Sequence, residues 1–264
     1  MTSRESLVRT VSFVALLLFA MAPLLMLIVT SLSRGWFYPA VLPPSLDASG
    51  WRDLVGDPAR RVALTNSLLL GVGTAVVATL LALPLGRAAA LSTRAVRRTV
   101  ALLAFAAVAL PPVALGVGLQ LTVLSLGLGG TLMGVFLAHM VPALGYLTLV
   151  FLGVFTRWDT RLEEAAATLG ADGVMRWRLV LLPLLRRPIA DAMALGFLVS
   201  WAQVALTLLV GGGAVRTLPL EVLALLQAGQ DQHAATGALV LTIPALLVLA
   251  VSRTAARDTA AVAA

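Results

Sequence analysis

The charged residues that could do chemistry are concentrated in one stretch of this chain, between Arg157 and Arg187. That stretch holds six of the nineteen basic residues and four of the twelve acidic ones, although the whole chain is 60% hydrophobic and only 12% charged. Its acidic residues include the neighbours Glu163 and Glu164, whose carboxylates can form charge-assisted hydrogen bonds with arginines of another protein. The chemistry that this stretch offers is recognition of a partner through paired charges.

The sequence does not predict a catalytic site. An intramembrane enzyme would need a His-Glu-x-x-His motif, paired aspartates, or a serine arranged with a histidine or lysine, and we identify none of these in the apolar segments. Cysteine and lysine are absent, which excludes thiolate metal sites and the lysine that a P-loop needs on nucleotide phosphates. We therefore expect no catalytic role and no metal or organic cofactor in this chain. If the protein uses ATP, another chain must bind it.

The elements that must position the charged stretch are membrane-spanning helices. The mean hydropathy is +0.99, and several apolar segments reach the roughly 20 residues that a helix needs to cross a bilayer. Helices satisfy their own backbone hydrogen bonds, which lipid cannot do. We predict an all-α, polytopic membrane protein with one domain over residues 1–264. Its six expected spans are 11–31, 62–90, 99–126, 131–156, 188–210 and 234–251.

The distribution of arginine predicts the orientation. With six spans, fourteen arginines fall in the two termini, the loop after the second span and the 157–187 stretch, whereas five fall in the other loops. Because basic residues accumulate on the cytoplasmic side, both termini and the 157–187 stretch should be cytoplasmic. The same bias explains the net charge of +7 better than nucleic-acid binding does.

Two short helices are predicted inside the charged stretch. Thr160 followed by Glu163 is typical of a capping box, which predicts a helix beginning at Arg161. Gly170 suits the left-handed residue that ends such a helix. Asp172 can cap a second helix, which Pro183 and Pro188 should separate from the next span.

The first of these helices carries an apolar stripe of small residues. The stripe has helical spacing and consists of Leu162, Ala165, Ala166 and Leu169. Small side chains let a helix lie deep in a groove of another protein, where Glu163 and Glu164 could reach arginines of the groove. From spacing alone, an amphipathic connector lying on the bilayer surface is an equally good interpretation.

Polar side chains within the apolar spans are candidates for a solute pathway, because polar groups in lipid are costly. They are Asn66, Gln120, His139, Ser200, Gln203 and Thr207. Ser200, Gln203 and Thr207 fall at i, i+3 and i+7, so they should share one face of the fifth span. Interhelical hydrogen bonds that stabilise the bundle are the alternative interpretation. Prolines 84, 111, 112 and 142 are candidate hinges, and prolines that helix packing simply tolerates are an equally good interpretation of each.

The charged stretch resembles the EAA loop of permeases from ATP-binding-cassette importers. The resemblance rests on Glu164-Ala165-Ala166, three residues, Gly170, nine residues, Val180, one residue and Leu182-Pro183. Val180 replaces the usual isoleucine. In that family the loop forms coupling helices that dock on separate ATPase subunits. The resemblance thus implies a type I importer permease fold with a coupling loop at 157–187, and docking contacts from Glu163, Glu164, Ala165, Ala166, Gly170 and Asp172.

The resemblance also implies an assembly of several chains in the bacterial inner membrane. Its members would be two ATP-binding subunits, a second permease that is a copy or a paralogue, and an extracytoplasmic solute-binding protein. Residues 211–221 resemble the end of the fifth span in permeases for polyamines, iron(III) and thiamine, which implies a small charged cargo. The alternative function is an ATP-independent carrier or channel, although such a protein would need charged residues in mid-membrane.

Overall fold

The computed structural model describes the backbone of residues 3–37 and 39–262, and the side chains of residues 9–37 and 39–250. The side chains of Arg4, Arg253 and Arg257, which entered the arginine count, lie outside this part. Twelve helices are described. They are α1 (Ser3–Ser31), α2 (Ser49–Gly56), α3 (Pro58–Leu91), α4 (Arg94–Ala109), α5 (Pro112–Ser125), α6 (Leu132–Thr156), α7 (Arg161–Thr168), α8 (Gly173–Arg176), α9 (Leu182–Trp201), α10 (Ala205–Gly211), α11 (Leu218–Gln227) and α12 (Asp231–Val262).

The all-α fold with up to six spans is confirmed. Within the described residues, α1, α3, α6 and α12 are each long and apolar enough to cross a membrane. Two bent helix pairs complete the six if each pair is one span, namely α4 with α5 and α8–α9 with α10. The only β pairing in the described part is an isolated bridge between Ser33 and Leu46.

The chain divides into two compact units. The first contains residues 1–64 and 218–264. In it, α1, α2 and α11 all pack against α12. Helix α2 was not predicted, and Gly50 lets it approach α12 closely, since an added Cβ would lie 2.6 Å from the Thr236 hydroxyl. The apolar sequence of residues 218–226 predicts a short helix lying outside the core. Helix α11 forms there, but its Leu218, Val222 and Leu225 are buried.

The second unit contains residues 65–217 and is organised around α6. Helices α4, α5, α9 and α10 pack against α6. Its core includes Leu147 and Phe151 from α6, Ala78 from α3 and Leu185 from α9, all fully buried. This unit contains the whole charged stretch and every candidate pathway residue.

The two bends have different origins. The third span breaks before Pro112, as predicted, and α4 and α5 meet at 102°. The fifth span was predicted to be one helix over 188–210, which is wrong. It bends by 58° between α9 and α10, although residues 202–204 include neither proline nor glycine.

The prediction that Pro183 and Pro188 separate the charged stretch from the fifth span is also wrong. The helix continues from α8 into α9 through a π-helical turn, Trp177–Leu181. The Leu182 amide bonds the Trp177 carbonyl, five residues back, so the hydrogen-bond register shifts just before Pro183. Pro183 lies in the first turn of α9, where its missing N–H costs little, and Pro188 is accommodated inside the helix.

Candidate coupling surface

The helix at the centre of the charged stretch, α7, begins at Arg161 as predicted, but without the predicted capping box. Thr160 has helical dihedral angles and its side chain caps nothing. Asp159 performs the capping role instead, because its Oδ1 accepts a hydrogen bond of 3.0 Å from the Arg161 amide. The Glu163 carboxylate is thereby free for other partners.

The C-terminal end of α7 is a Schellman motif built on Gly170. The Ala171 amide bonds the Ala166 carbonyl and the Gly170 amide bonds the Ala167 carbonyl, both at 3.0 Å. Gly170 has φ +84°, the left-handed conformation that side chains disfavour. The chain then turns to Asp172, whose Oδ1 accepts a 2.7 Å bond from the Met175 amide and so caps α8, as predicted.

The outer surface of this stretch is apolar and unpartnered. No residue of α7 is buried. Leu169 is 88% exposed, Leu179 69% and Val174 66%. Several exposed apolar residues within one charged loop make this loop a candidate interaction site. We call these three residues, together with the exposed Glu164, Ala165 and Gly170, the coupling surface.

Glu163 differs from its neighbour Glu164 in burial and in having partners within the chain. Its Oε2 accepts a 2.6 Å hydrogen bond from Arg87 of α3, and its Oε1 accepts a 2.8 Å bond from the Trp158 indole. Only 13% of the Glu163 side chain and 21% of the Arg87 side chain are exposed. Glu163 therefore holds α7 against α3, whereas Glu164 remains exposed.

Arg87 connects the coupling surface to three spans. Besides Glu163, its guanidinium lies 5.1 Å from the ring centre of Trp177 in the π-helical turn and 5.7 Å from that of Phe155 in α6. Both distances permit cation–π attraction. Because Arg87 belongs to α3 and the π-helical turn continues into α9, these contacts connect α7 with α3, α6 and α9. We call Arg87, Phe155, Trp158, Glu163 and Trp177 the anchor cluster.

The candidate pathway residues do not all lie together. The Asn66 amide of α3 donates a 2.9 Å bond to the Arg216 carbonyl, and Gln120 is half-buried in α5. His139, Ser200 and Thr207 do come together, with side chains 1%, 4% and 0% exposed.

His139 joins the two halves of the broken fifth span. Its Nδ1 lies 2.8 Å from the Ser200 hydroxyl at the end of α9, and its Nε2 lies 2.9 Å from the Thr207 hydroxyl in α10. Thr207 donates its own hydrogen to the Gln203 carbonyl at 3.0 Å. Its oxygen must then accept from Nε2–H, so Nδ1 accepts from Ser200. Ser200, Gln203 and Thr207 therefore do not form one helical face, because the bend lies between them.

No pattern in the sequence indicates that Ser200 and His139 pair. Their distance matches that of a nucleophile and its general base. The pair is buried, and the second ring nitrogen of His139 contacts Thr207. The two contacts join α9 and α10 across the bend. Within the described residues, no three metal-ligating side chains form a group that could hold an ion.

Comparison with known proteins assigns the family. Residues 82–257 match the family described as "Binding-protein-dependent transport system inner membrane component". The chain therefore belongs to this family of multi-pass inner-membrane permeases from ABC importers. The family consists of transport subunits, which agrees with the predicted non-catalytic role.

Named relatives cover most of the chain. The molybdenum transport system permease ModB of Mycobacterium tuberculosis is 31% identical over 75% of this chain and 81% of its own length. The putative 2-aminoethylphosphonate permease PhnV of Salmonella typhimurium is 29% identical over 94% and 93%. The spermidine/putrescine permease PotC of Haemophilus influenzae is 26% identical over 54% and 56%.

The fold also matches a solved transporter. The crystal structure of a bacterial ABC transporter that imports alginate aligns with a TM-score of 0.70, covering 96% of this chain and 98% of the other, at 19% identity. This likeness supports the arrangement of helices described above.

Proposed function

We propose that this permease forms half of the solute pathway of an ATP-driven importer, and that residues 157–187 couple the pathway to separate ATPase subunits. ATP and Mg²⁺ bind to those subunits. Two such subunits, a second permease and an extracytoplasmic binding protein complete the assembly. The observation that carries the proposal is the difference between two adjacent glutamates: Glu163 is held inside the anchor cluster, and Glu164 is exposed on an apolar surface.

The coupling surface has the chemistry of a docking site. The exposed apolar side chains Leu169, Val174 and Leu179 provide area that water disfavours, worth about 25 cal/mol per Å² once covered. Glu164 provides a charge that an arginine of the partner can bind. The Schellman turn at Gly170 keeps the chain compact beside α7, so a groove can enclose the helix end.

The anchor cluster can pass a movement of the docking site on to the spans. A partner that moves α7 pulls on Arg87 through Glu163 and on α9 through Trp177. The far end of α9 is the bend at which His139 holds Ser200 and Thr207. We propose that this bend and the prolines of α3, α4–α5 and α6 are the places where the pathway changes shape. Asn66, Gln120, Ser200, Gln203 and Thr207 are then the first positions to test for contact with cargo.

The proposed orientation places both termini and the coupling surface in the cytoplasm. Its support is the arginine distribution, fourteen on one side and five on the other. Val41, between α1 and α2, is 86% exposed on the proposed outer side. The chain contains no cysteine. In whole cells, an impermeant thiol reagent should therefore label Val41→Cys and leave Leu169→Cys unlabelled. The reverse labelling would mean that the chain has the opposite orientation in the membrane.

We propose that the cargo is a small charged solute. The resemblance of residues 211–221 implies this, and the named relatives transport molybdenum, spermidine and putrescine, or putatively 2-aminoethylphosphonate. The spans contain almost no charged residue that would select one sign of charge. Sequencing the neighbouring genes tests this proposal, because the ligand of a solute-binding protein encoded there would identify the cargo.

The experiment is transport in proteoliposomes with and without the cognate ATPase subunits. We expect ATP-dependent uptake only when they are present, and loss of uptake in Glu164→Arg, which reverses the charge of an exposed side chain. Arg61→Gln, which changes an exposed residue of α3 outside the 157–187 stretch, is the control. Downhill flux by the permease alone, unchanged in Glu164→Arg, would instead support the carrier or channel function.

A further inference from the structure

We propose a binding site for an anionic phospholipid in a cleft between the start of α4 and the end of α6. The cleft has a volume of about 400 Å³. Three arginines of α4, Arg94, Arg97 and Arg98, form one wall. Leu149, Leu152 and Gly153 of α6 form part of the other. The proposal goes beyond coupling and holds whichever way the chain is oriented.

The geometry of the two helices creates the cleft. An added Cβ at Gly145 of α6 would lie 2.7 Å from the Ala104 carbonyl of α4, so the helices are in closest contact there. Arg97 lies seven residues before Ala104 in α4, and Leu152 lies seven residues after Gly145 in α6. Seven residues correspond to about 10 Å along a helix. Here the contact is open, because a Cβ at Gly153 would meet nothing within 4 Å. The cleft is therefore a gap at one end of a tight helix pair.

Within the described residues, the charge in the cleft has no counterion. None of the ion pairs between described residues includes Arg94, Arg97 or Arg98. Arg87 shows the contrast, since it is neutralised by Glu163. The three arginines also occupy the first turn and a half of α4, where the helix dipole disfavours cations. An anion bound in the cleft would neutralise the arginines and would offset their unfavourable interaction with the helix dipole.

The occupant that fits this wall is a lipid rather than a free anion. The arginines lie where α4 begins and α6 ends, at the boundary of two apolar helices, which is where phosphodiester headgroups lie. From there the cleft continues past Gly153 to Leu149, an apolar surface suited to an acyl chain. A guanidinium binds a phosphate through two parallel hydrogen bonds. Phosphate with an adjoining apolar chain is the chemistry of phosphatidylglycerol.

The test uses the purified full-length chain in neutral detergent. It is titrated with dioleoylphosphatidylglycerol, with dioleoylphosphatidylcholine as the neutral control, and bound lipid is counted by native mass spectrometry. We expect tighter binding of the anionic lipid, weakened about fivefold by Arg97→Gln, the factor that one basic residue contributes near an anionic surface. Arg97→Lys, which keeps the charge, should lose less.

A second variant separates the cleft from general charge. Gly153→Leu places a bulky side chain at a position where a Cβ has open space, and it leaves every arginine in place. It should reduce phosphatidylglycerol binding at least as much as Arg97→Gln does. Arg178→Gln, which removes an exposed arginine outside the cleft, should leave binding unchanged.

Four results would overturn the proposal. Equal binding of the two lipids would remove the anionic preference, and full binding by Gly153→Leu would mean that charge alone attracts the lipid. Displacement of the lipid by millimolar inorganic phosphate would make the cleft a site for free anions. Displacement by the ATPase subunits would make it part of a protein interface.

Discussion

The anchor cluster makes a quantitative prediction about two neighbouring glutamates. Replacing Glu163 with glutamine removes the charge that neutralises Arg87 while keeping an oxygen for the Trp158 indole. Removing one partner of a fully buried ion pair costs about 3–5 kcal/mol. Since 13% and 21% of these two side chains remain exposed, we expect a smaller loss, about 2–3 kcal/mol of unfolding free energy.

Replacing Arg87 with methionine should cost slightly more. It leaves the Glu163 carboxylate without its counterion and also removes the contacts with Trp177 and Phe155, each worth about 0.5–1 kcal/mol. The double variant has no unpaired charge, so its loss should be smaller than the sum of the single losses by about 1–3 kcal/mol. Reversible unfolding in mixed micelles measures all three variants.

Glu164→Gln is the matched control. Glu164 is exposed, and no ion pair between described residues includes it, so its replacement should change stability by less than about 0.5 kcal/mol. In the assembled transporter, Glu163→Gln should lower the solute moved per ATP hydrolysed, because α7 is no longer fastened to α3. Additive losses in the double variant, or equal losses in Glu163→Gln and Glu164→Gln, would refute the anchoring role.

Three further predictions concern stability and use the same unfolding measurement. Gly170→Ala should cost about 1–2 kcal/mol because φ is +84°, whereas Gly173→Ala, in α8 with open space around it, should cost nothing; equal losses would contradict the Schellman motif. Thr207→Val should cost about 1 kcal/mol by leaving the His139 Nε2–H unpaired. No change in stability would mean that the hydrogen bond between His139 and Thr207 does not stabilise the bend. Gly86→Ala should cost about 1–3 kcal/mol, because its Cβ would lie 2.6 Å from α6, and tolerance would mean that the helices separate easily.

The sequence was sufficient to predict most of the apolar spans and two of the turns in the charged stretch. Apolar length determined most spans to within a few residues, since lipid imposes the same requirement on each of them. Asp172 as a helix cap and Gly170 as a left-handed terminator were also predictable, because each depends on neighbouring residues only. The family resemblance was confirmed by the match over residues 82–257.

Features that depend on tertiary contacts were not predictable. Glu163 has the right spacing for a capping box, but its carboxylate pairs with Arg87, 76 residues earlier in the chain. The bend in the fifth span has no local signal and coincides with hydrogen bonds to His139, 61 and 68 residues away. Pro183 is a helix breaker only if the preceding hydrogen bonds keep the α register, which the π-helical turn changes.

The central claim is that the coupling surface binds an ATPase subunit, and a cross-link between two defined positions tests it most directly. The chain contains no cysteine, so Leu169→Cys introduces a unique thiol at a residue that is 88% exposed. In the reconstituted transporter, a short thiol–amine cross-linker should join Leu169→Cys to the ATPase subunit, with a yield that changes when ATP is added. Val41→Cys, 86% exposed, should give no such product. A cross-link from Val41→Cys and none from Leu169→Cys would contradict the account.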